Sequence, residues 1–425
     1  ARMADLLALS SRVIDSGAVD EPINRITNEL SEVADGLAVV ESFSHSIVLD
    51  AGDGLVAFDA SHARTGSEVV AAIRQWSDTP VSHLVYTHGH ADHVGGSPDF
   101  AAAFGEMAVV GHRNVDERFE RYRYTNDWNV LINARQFGGV RGDFGMGEDT
   151  PDFIPADTAR PNHVVDDHDT IVVGDRAIEL HHARGETDDH LWGWMPNEKW
   201  AFVGDFVIWN FPNAGNPQKV QRFPIEWAAA LRDMAAHGPE LLLPAHGLPI
   251  EGRERIERVL GTIAGALEHL VDEVVAMMNA GEVLDTIIHS VSVPDDELAK
   301  PYLRPLYDEP EFVVRNIWRQ FGGWWDGAPS RLKPSPDAAL AAELAGLSGG
   351  AGVLIERAVQ LSETGDFRLA CHLADLAGWA APDDGGIHAQ RALVYRARRK
   401  AESSLMAKGI FAGAARESEA VAGRD

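Results

Sequence analysis

The chain has 425 residues, 45% of them hydrophobic and 24% charged, which is enough to bury a sizeable core and to hold two domains. A formal net charge of −28 argues against nucleic acid and anionic membrane surfaces as partners. No apolar run approaches the roughly 20 residues of a membrane helix, and the single cysteine, Cys371, excludes an internal disulfide.

In chain order, residues 1–36 read as a helical lead-in. A cytoplasmic location is expected, with a removed secretory signal as the alternative, because Ala1 stands where an initiator Met would. Apolar runs at 37–41, 45–49 and 55–58 predict strands, with Asp50-Ala51-Gly52-Asp53-Gly54 as a turn. Val69, Ile73 and Trp76, spaced by four and three, predict a helix over 64–76. A strand at 81–86 leads into Thr87-His88-Gly89-His90-Ala91-Asp92-His93. A strand at 107–110 and a helix at 112–123 follow. The segment 124–168 has few periodic signals and many Gly, Asp and Pro residues, and is expected to be a loop covering substrate. Asn129 and Arg135 within it are candidate substrate contacts. Strands at 170–173, 177–182, 190–195 and 200–203, a helix at 224–237, a strand at 240–243 and a helix from 251 form a second half that mirrors the first. Two such halves predict a sandwich of two sheets covered by helices. Beyond about 256, helices at 254–280, 296–300, 310–321, 337–346, 350–364, 366–378 and 386–406 are separated by Gly and Pro. The expected division is therefore 1–255 and 256–425.

The His-x-His-x-Asp-His run carries the chemistry. His88 and His90 point the same way from an extended chain, and Asp92 and His93 turn toward a second point. Imidazole and carboxylate suit a borderline ion such as zinc, and two neighbouring ligand pairs suit two ions. Other polar groups also follow the ends of apolar runs: Glu186 and His190 after 177–182, Asp205 after 200–203, and His246 after 240–243. Sheets of layered α/β folds deliver such side chains to one rim.

His88-x-His90-x-Asp92-His93, Gly204-Asp205 and Ala245-His246-Gly247 together resemble the metallo-β-lactamase superfamily. Gly185-Glu186-Thr187, where that superfamily usually has a His, resembles its alkyl sulfatase branch. In that branch a second acid lies nineteen residues beyond the Glu, and Asp205 lies nineteen beyond Glu186. The run from Asn316 to Pro329, then Leu332-Lys-Pro-Ser-Pro336, resembles the start of the branch's helical dimerisation domain. So does Gly365-Asp-Phe-Arg-Leu-Ala370. The likeness covers about residues 37–415.

The resemblance implies an αβ/βα sandwich over 1–255 followed by an all-α dimerisation domain over 256–425, and a homodimer. It implies two Zn²⁺: the first on His88, His90 and Glu186, the second on Asp92, His93 and His246, with Asp205 bridging. A metal-bound hydroxide would then cleave a sulfate ester, another ester or a lactone in a small-molecule substrate. Asp92, Asp205 and His190 are expected to act in catalysis, and His190 is also the alternative to Glu186 as ligand. Other readings are an iron oxygenase-type member of the superfamily and a helical interaction protein with a vestigial metal domain. Two departures stand out. The branch's second Glu is His190 here, and its Leu-Arg-Gly-Ala segment, whose Arg contacts sulfate, has no counterpart in register. Lys219 and Arg222 are candidate substitutes, and Trp209 and Phe211 are candidate linings of an apolar substrate pocket.

Overall fold

Apolar alternation and short apolar runs become strands, and the strands sort into two sheets in the computed structural model, which describes residues 5–137 and 152–423. The first sheet runs in spatial order β1 (Leu30–Ala34), β2 (Leu37–Val40), β3 (Ser46–Asp50), β4 (Leu55–Phe58), β5 (Val81–Val85), β6 (Ala108–His112) and β7 (His163–Val165). The second holds β8 (His168–Val173), β9 (Arg176–His182), β10 (Leu191–Met195), β11 (Trp200–Gly204), β12 (Leu241–Pro244) and β13 (Ile250–Glu251), with β8 and β13 at its edges.

Strands β2, β4, β10 and β12 are buried along their whole length, as expected of strands covered on both faces. In β9 the pattern alternates instead: Ile178 and Leu180 are buried while Glu179 and His181 are only partly so. Phe58 of β4 stacks on Phe202 of β11, ring centroids 4.2 Å apart, and joins the two inner faces. Gly193 makes room for that pair, since a Cβ there would lie 2.9 Å from the Phe58 ring.

Strands β4, β5 and β6 run parallel, as do β11 and β12. Their C-terminal ends deliver loops to one rim, and the polar clusters named above lie in those loops. Helix Gly66–Trp76 covers the first sheet with Val69, Val70 and Ile73. Helix Arg253–Asn279 buries Ile256, Val259, Ile263, Leu267, Leu270 and Val274, spaced by three and four, in one core with the second sheet. By packing, the first unit extends past the expected 255/256 boundary to Trp324, because this helix and helix Pro310–Gly322 share the sandwich's core.

The second unit contains Val130–Phe137 and the helices after Trp325. Its small core is built from Leu354, Ile355, Ala358, Leu361, Ala370, Ala374, Ala377, Ile387 and Val394. The single helix expected over 386–406 is two, Gly385–Ala401 and Leu405–Ala422. Ser404 starts the second by accepting a hydrogen bond from the Ala407 amide.

Two other expectations change. The lead-in holds helix Leu6–Ser16 but also strand β1. The segment 124–168 is not all loop: residues Asn126–Phe137 are helical, and β7 and the start of β8 lie at its end. The helix is rich in polar residues, so its apolar stripe is faint, while the Asn129 side chain donates to the Thr125 carbonyl one turn back (2.9 Å). Residues 138–151 of that expected loop lie outside the described residues.

Gly96 closes the turn after the His-rich loop, and a Cβ there would lie 2.1 Å from the Ala60 carbonyl oxygen. That contact is with backbone and cannot be relieved by a side-chain rotation. Gly96→Ala should lower unfolding free energy by about 1–3 kcal/mol in urea titration; a wild-type midpoint would contradict this packing.

Candidate metal centre

The loop after β5 brings His88, His90, Asp92 and His93 together; Glu186 follows β9, Asp205 follows β11 and His246 follows β12. Seven side chains far apart in sequence thereby form two adjacent groups. In the first, His88 Nε2 lies 2.8 Å from His90 Nδ1 and 3.9 Å from Asp205 Oδ2, and His90 Nδ1 lies 3.6 Å from Glu186 Oε1. In the second, His93 Nε2 lies 3.6 Å from Asp92 Oδ2, and His246 Nε2 lies 3.4 Å from the same oxygen. Asp205 Oδ1 lies 3.4 Å from His93 Nε2 and 3.6 Å from His246 Nε2. One carboxylate thus turns an oxygen to each group. Ligand atoms about 2.0–2.2 Å from a tetrahedral zinc lie roughly 3.3–3.5 Å from one another, and most of these separations fall near that value.

The surroundings fix the orientation of the ligands. Asp59, at the end of β4, accepts from His93 Nδ1 and from the Thr87 hydroxyl, both at 2.7 Å, and its other oxygen accepts from the Thr87 amide. His93 Nε2 is thereby left to face the cluster. Asp189 accepts from the Gly89 amide (3.0 Å) and from buried Arg118 (2.8 Å), which braces the His88-Gly89-His90 backbone. A Cβ on Gly89 would lie 2.9 Å from both Arg118 and Asp189, so no side chain fits there. Glu186 receives the Asn213 side-chain amide, and Arg222 donates to the Glu186 carbonyl with Nη1 also 3.4 Å from its carboxylate. His45 contacts the Gly247 carbonyl at 2.7 Å, which steadies the His246 loop.

Buried charge dominates the electrostatics. Burial raises the Glu186 carboxyl well above its usual range, and Asp205 and Asp92 push it further. Burial and then neighbouring His93 and His90 lower His88 well below the ordinary imidazole value. Burial also opposes charge on His93, but Asp205, Asp59 and Asp92 outweigh it and raise that imidazole well above its usual value. Crowded carboxylates beside imidazole nitrogens suit a cation. His93 Nε2, Glu186 Oε2 and Asp205 Oδ1 are also buried without a hydrogen-bond partner among the described residues. The donor set therefore fits divalent ions of the zinc type, one at each group.

His190 is placed differently from expectation. It is fully buried and stacks on His88 at 4.7 Å. Its Nε2 accepts the Asp205 amide (3.1 Å) and its Nδ1 meets the Leu191 carbonyl (3.1 Å), so neither nitrogen faces the cluster. In this arrangement it holds the Asp205 backbone, in place of the expected ligand or acid–base position. Trp209 and Phe211 are fully buried in the core, and Trp209 donates to the Leu248 carbonyl at 2.8 Å beside the His246 loop. They present no face to a ligand. Asn129 is buried and bonded within its own helix, and Arg135 packs beside Gly413 of the second unit. Lys219 does lie near the centre. It is half-buried, 5.4 Å above the Phe153 ring, and burial and then Arg222 push it down to about 7, against the pull of Asp92 and Glu186.

Sequence reading missed Asp59, His45, Arg118, Asn213 and Tyr307 as parts of this site. Tyr307 is raised well above the usual phenol value by burial and then by Glu186 and Asp92, which places it within their field. Asp59 had a usable signal, since it ends an apolar run as Asp205 does. A cavity of about 240 Å³ is lined by Ala91, the residue before Asp92, with His62, Phe153 and Pro155 among others.

Residues 39–246 match the family model described as metallo-beta-lactamase superfamily, and residues 283–420 match the one described as alkyl sulfatase dimerisation. A linear primary-alkylsulfatase of Pseudomonas sp. (strain ATCC 19151) is 28% identical over 354 residues, covering 78% of this chain and 65% of the relative. An (R)-specific secondary-alkylsulfatase of Pseudomonas sp. is 22% identical, covering 79% of this chain and 54% of that one. This chain thus spans less than two thirds of either relative. A solved structure, the stereoselective inverting sec-alkylsulfatase Pisa1 from Pseudomonas sp., shares the fold. Its TM-score is 0.81 at 21% identity, over 92% of this chain and 66% of that one.

Glu186 faces the first group and His190 does not. Glu186→Gln should therefore lower bound zinc per chain more than His190→Gln does, as read by elemental analysis after dialysis; the reverse order would contradict the ligand assignment.

Proposed function

Since the chain is a member of the metallo-beta-lactamase superfamily, in its alkyl-sulfatase-like branch, we propose that it hydrolyses a sulfate ester of a small organic molecule with two zinc ions. The observation that carries this reading is Asp205, whose two carboxylate oxygens turn to two separate groups of ligands. His88, His90 and Glu186 would hold one ion, Asp92, His93 and His246 the other, and Asp205 both. Bound there, the pair would supply Lewis acidity and make water nucleophilic at neutral pH. The relatives named for primary and secondary alkyl sulfates favour a sulfate ester over a lactone or carboxylic ester.

The residues of the chain do the rest. His190 holds the Asp205 amide, and Asp59 holds His93, so both ligands are set before substrate arrives. Arg222 faces Glu186 and offsets that buried carboxylate, so it does not supply the planar fork that would grip sulfate. Lys219, close enough to the centre to feel Asp92 and Glu186, would meet an anionic head, with Phe153 and the cavity it lines for the organic part. A lysine binds sulfate oxygens as a point charge, less selectively than a guanidinium fork.

One comparison tests this. A zinc-loaded chain is assayed for sulfate release from dodecyl sulfate and a secondary alkyl sulfate, and for cleavage of a neutral carboxylic ester. A charged hydrogen bond contributes about 1.5–3 kcal/mol. Lys219→Ala should thus cut kcat/KM on sulfate esters by roughly tenfold to hundredfold and leave neutral ester cleavage near wild type. Equal losses on both substrates would remove Lys219 from the anion site, and no sulfate release from any alkyl sulfate would overturn the sulfate ester itself.

We also propose a homodimer formed through the dimerisation domain at 283–420. Leu340, Leu347, Leu369, Trp379 and Leu393 are exposed on the helices there and offer apolar side chains to a second copy. Sedimentation should give about twice the 46.2 kDa chain mass, and a monomer at micromolar concentration would contradict it.

A further inference from the structure

The outer face of the second sheet carries a second set of metal-ligating side chains, away from the centre above. His168 of β8 and His181 of β9 are direct cross-strand partners. Glu179 lies two residues before His181 on β9 and so projects from the same face. Cβ atoms of directly opposed residues in an antiparallel pair lie about 4.5–5.5 Å apart, and the two imidazole centroids here are 4.8 Å apart. Each of the three residues can offer one ligand atom such that all three lie within 4.8 Å of one another. From this juxtaposition we propose that His168, Glu179 and His181 bind one borderline divalent transition ion, of the zinc or copper class.

The distances suit such an ion. His181 Nε2 lies 3.5 Å from Glu179 Oε2, close to the roughly 3.3 Å that separates two ligand atoms of a tetrahedral zinc. The remaining gap closes by turning His168, which is exposed on an edge strand and free of core packing. His181 supplies the fixed point. Its ring stacks on Trp192 at 4.4 Å, with 17° between the planes, and its Nε2 is buried with no hydrogen-bond partner among the described residues. An imidazole nitrogen left in that state is short of a hydrogen or a metal. Two imidazoles and one carboxylate form a set that suits zinc, copper or nickel better than calcium or magnesium. His237 of helix Pro224–His237 stands edge-on to both His181 and Trp192 and borders the place where a fourth ligand or water would sit.

The ion would clip β8, the edge strand, to β9. It would act on stability, because a ligand that binds only the folded chain raises the melting temperature with its concentration. None of the three residues belongs to the groups around Asp205, so ester cleavage does not depend on them.

The test uses the full chain with its main centre loaded. After equilibrium dialysis against micromolar zinc, wild type should hold one ion more per chain than either His168→Gln or His181→Gln. Copper should also quench part of the tryptophan fluorescence in wild type, through Trp192, and not in His168→Gln, which leaves the His181–Trp192 stack intact. Both variants should cleave esters at the wild-type rate, which shows that they fold and that the main centre is filled. Equal zinc content in wild type and His168→Gln, or copper quenching that survives that substitution, would overturn the site.

Discussion

The chain depends on holding several buried carboxylates at one rim. Asp59, Asp92, Asp189, Glu186 and Asp205 all crowd the ends of β4, β5, β9 and β11, and four of the five are almost fully buried. Buried like charges of this density are unfavourable unless compensated. Arg118 compensates Asp189, and Arg222 leans on Glu186. Asp92 and Asp205 face the imidazoles of His93 and His246, and both also press on the Glu186 carboxyl. The pair of divalent cations proposed above would complete that balance, and Asp205 is where its two halves would meet.

The sandwich explains how such a rim can be built. Parallel strands end together within each sheet and the two sheets share the rim, so residues more than a hundred positions apart, such as His93 and Asp205, arrive side by side. Glycine then admits the close approaches. At Gly204 the backbone has a φ of +51°, and a Cβ would lie 2.7 Å from both His190 and Thr87. That single position sets the turn that hands Asp205 to the two clusters. Trp209, also at positive φ, and Gly247 pack against each other under the His246 loop. The Trp209 ring is fully buried and supports that loop from behind.

The legible part of the fold was the part with a strong period. Strands β2 to β6 and β9 to β12, and the long helix from Arg253, follow directly from apolar spacing. The helix at 126–137 was not legible, because its polar residues hide its buried stripe. All seven side chains that the fold gathers into the two groups were visible, four from one local run and three from strand ends and family resemblance. The groups behind them were not, with one exception. Arg118 lies on a surface-like, charge-rich helix, and only the fold shows that it turns inward to Asp189. His190 misled for a related reason: a His four residues beyond Glu186 reads as chemistry, yet the tertiary structure points both its nitrogens at backbone. Asp59 alone could have been found by the rule that located Asp205.

The central claim is that one carboxylate serves two ions. Crystals grown with zinc and measured at the zinc absorption edge test it most directly. The account predicts two anomalous peaks about 3.5–4 Å apart. One would lie beside His88, His90 and Glu186, the other beside Asp92, His93 and His246, with Asp205 within bonding distance of both. A single peak, or a pair in which His190 replaces Glu186, would contradict it.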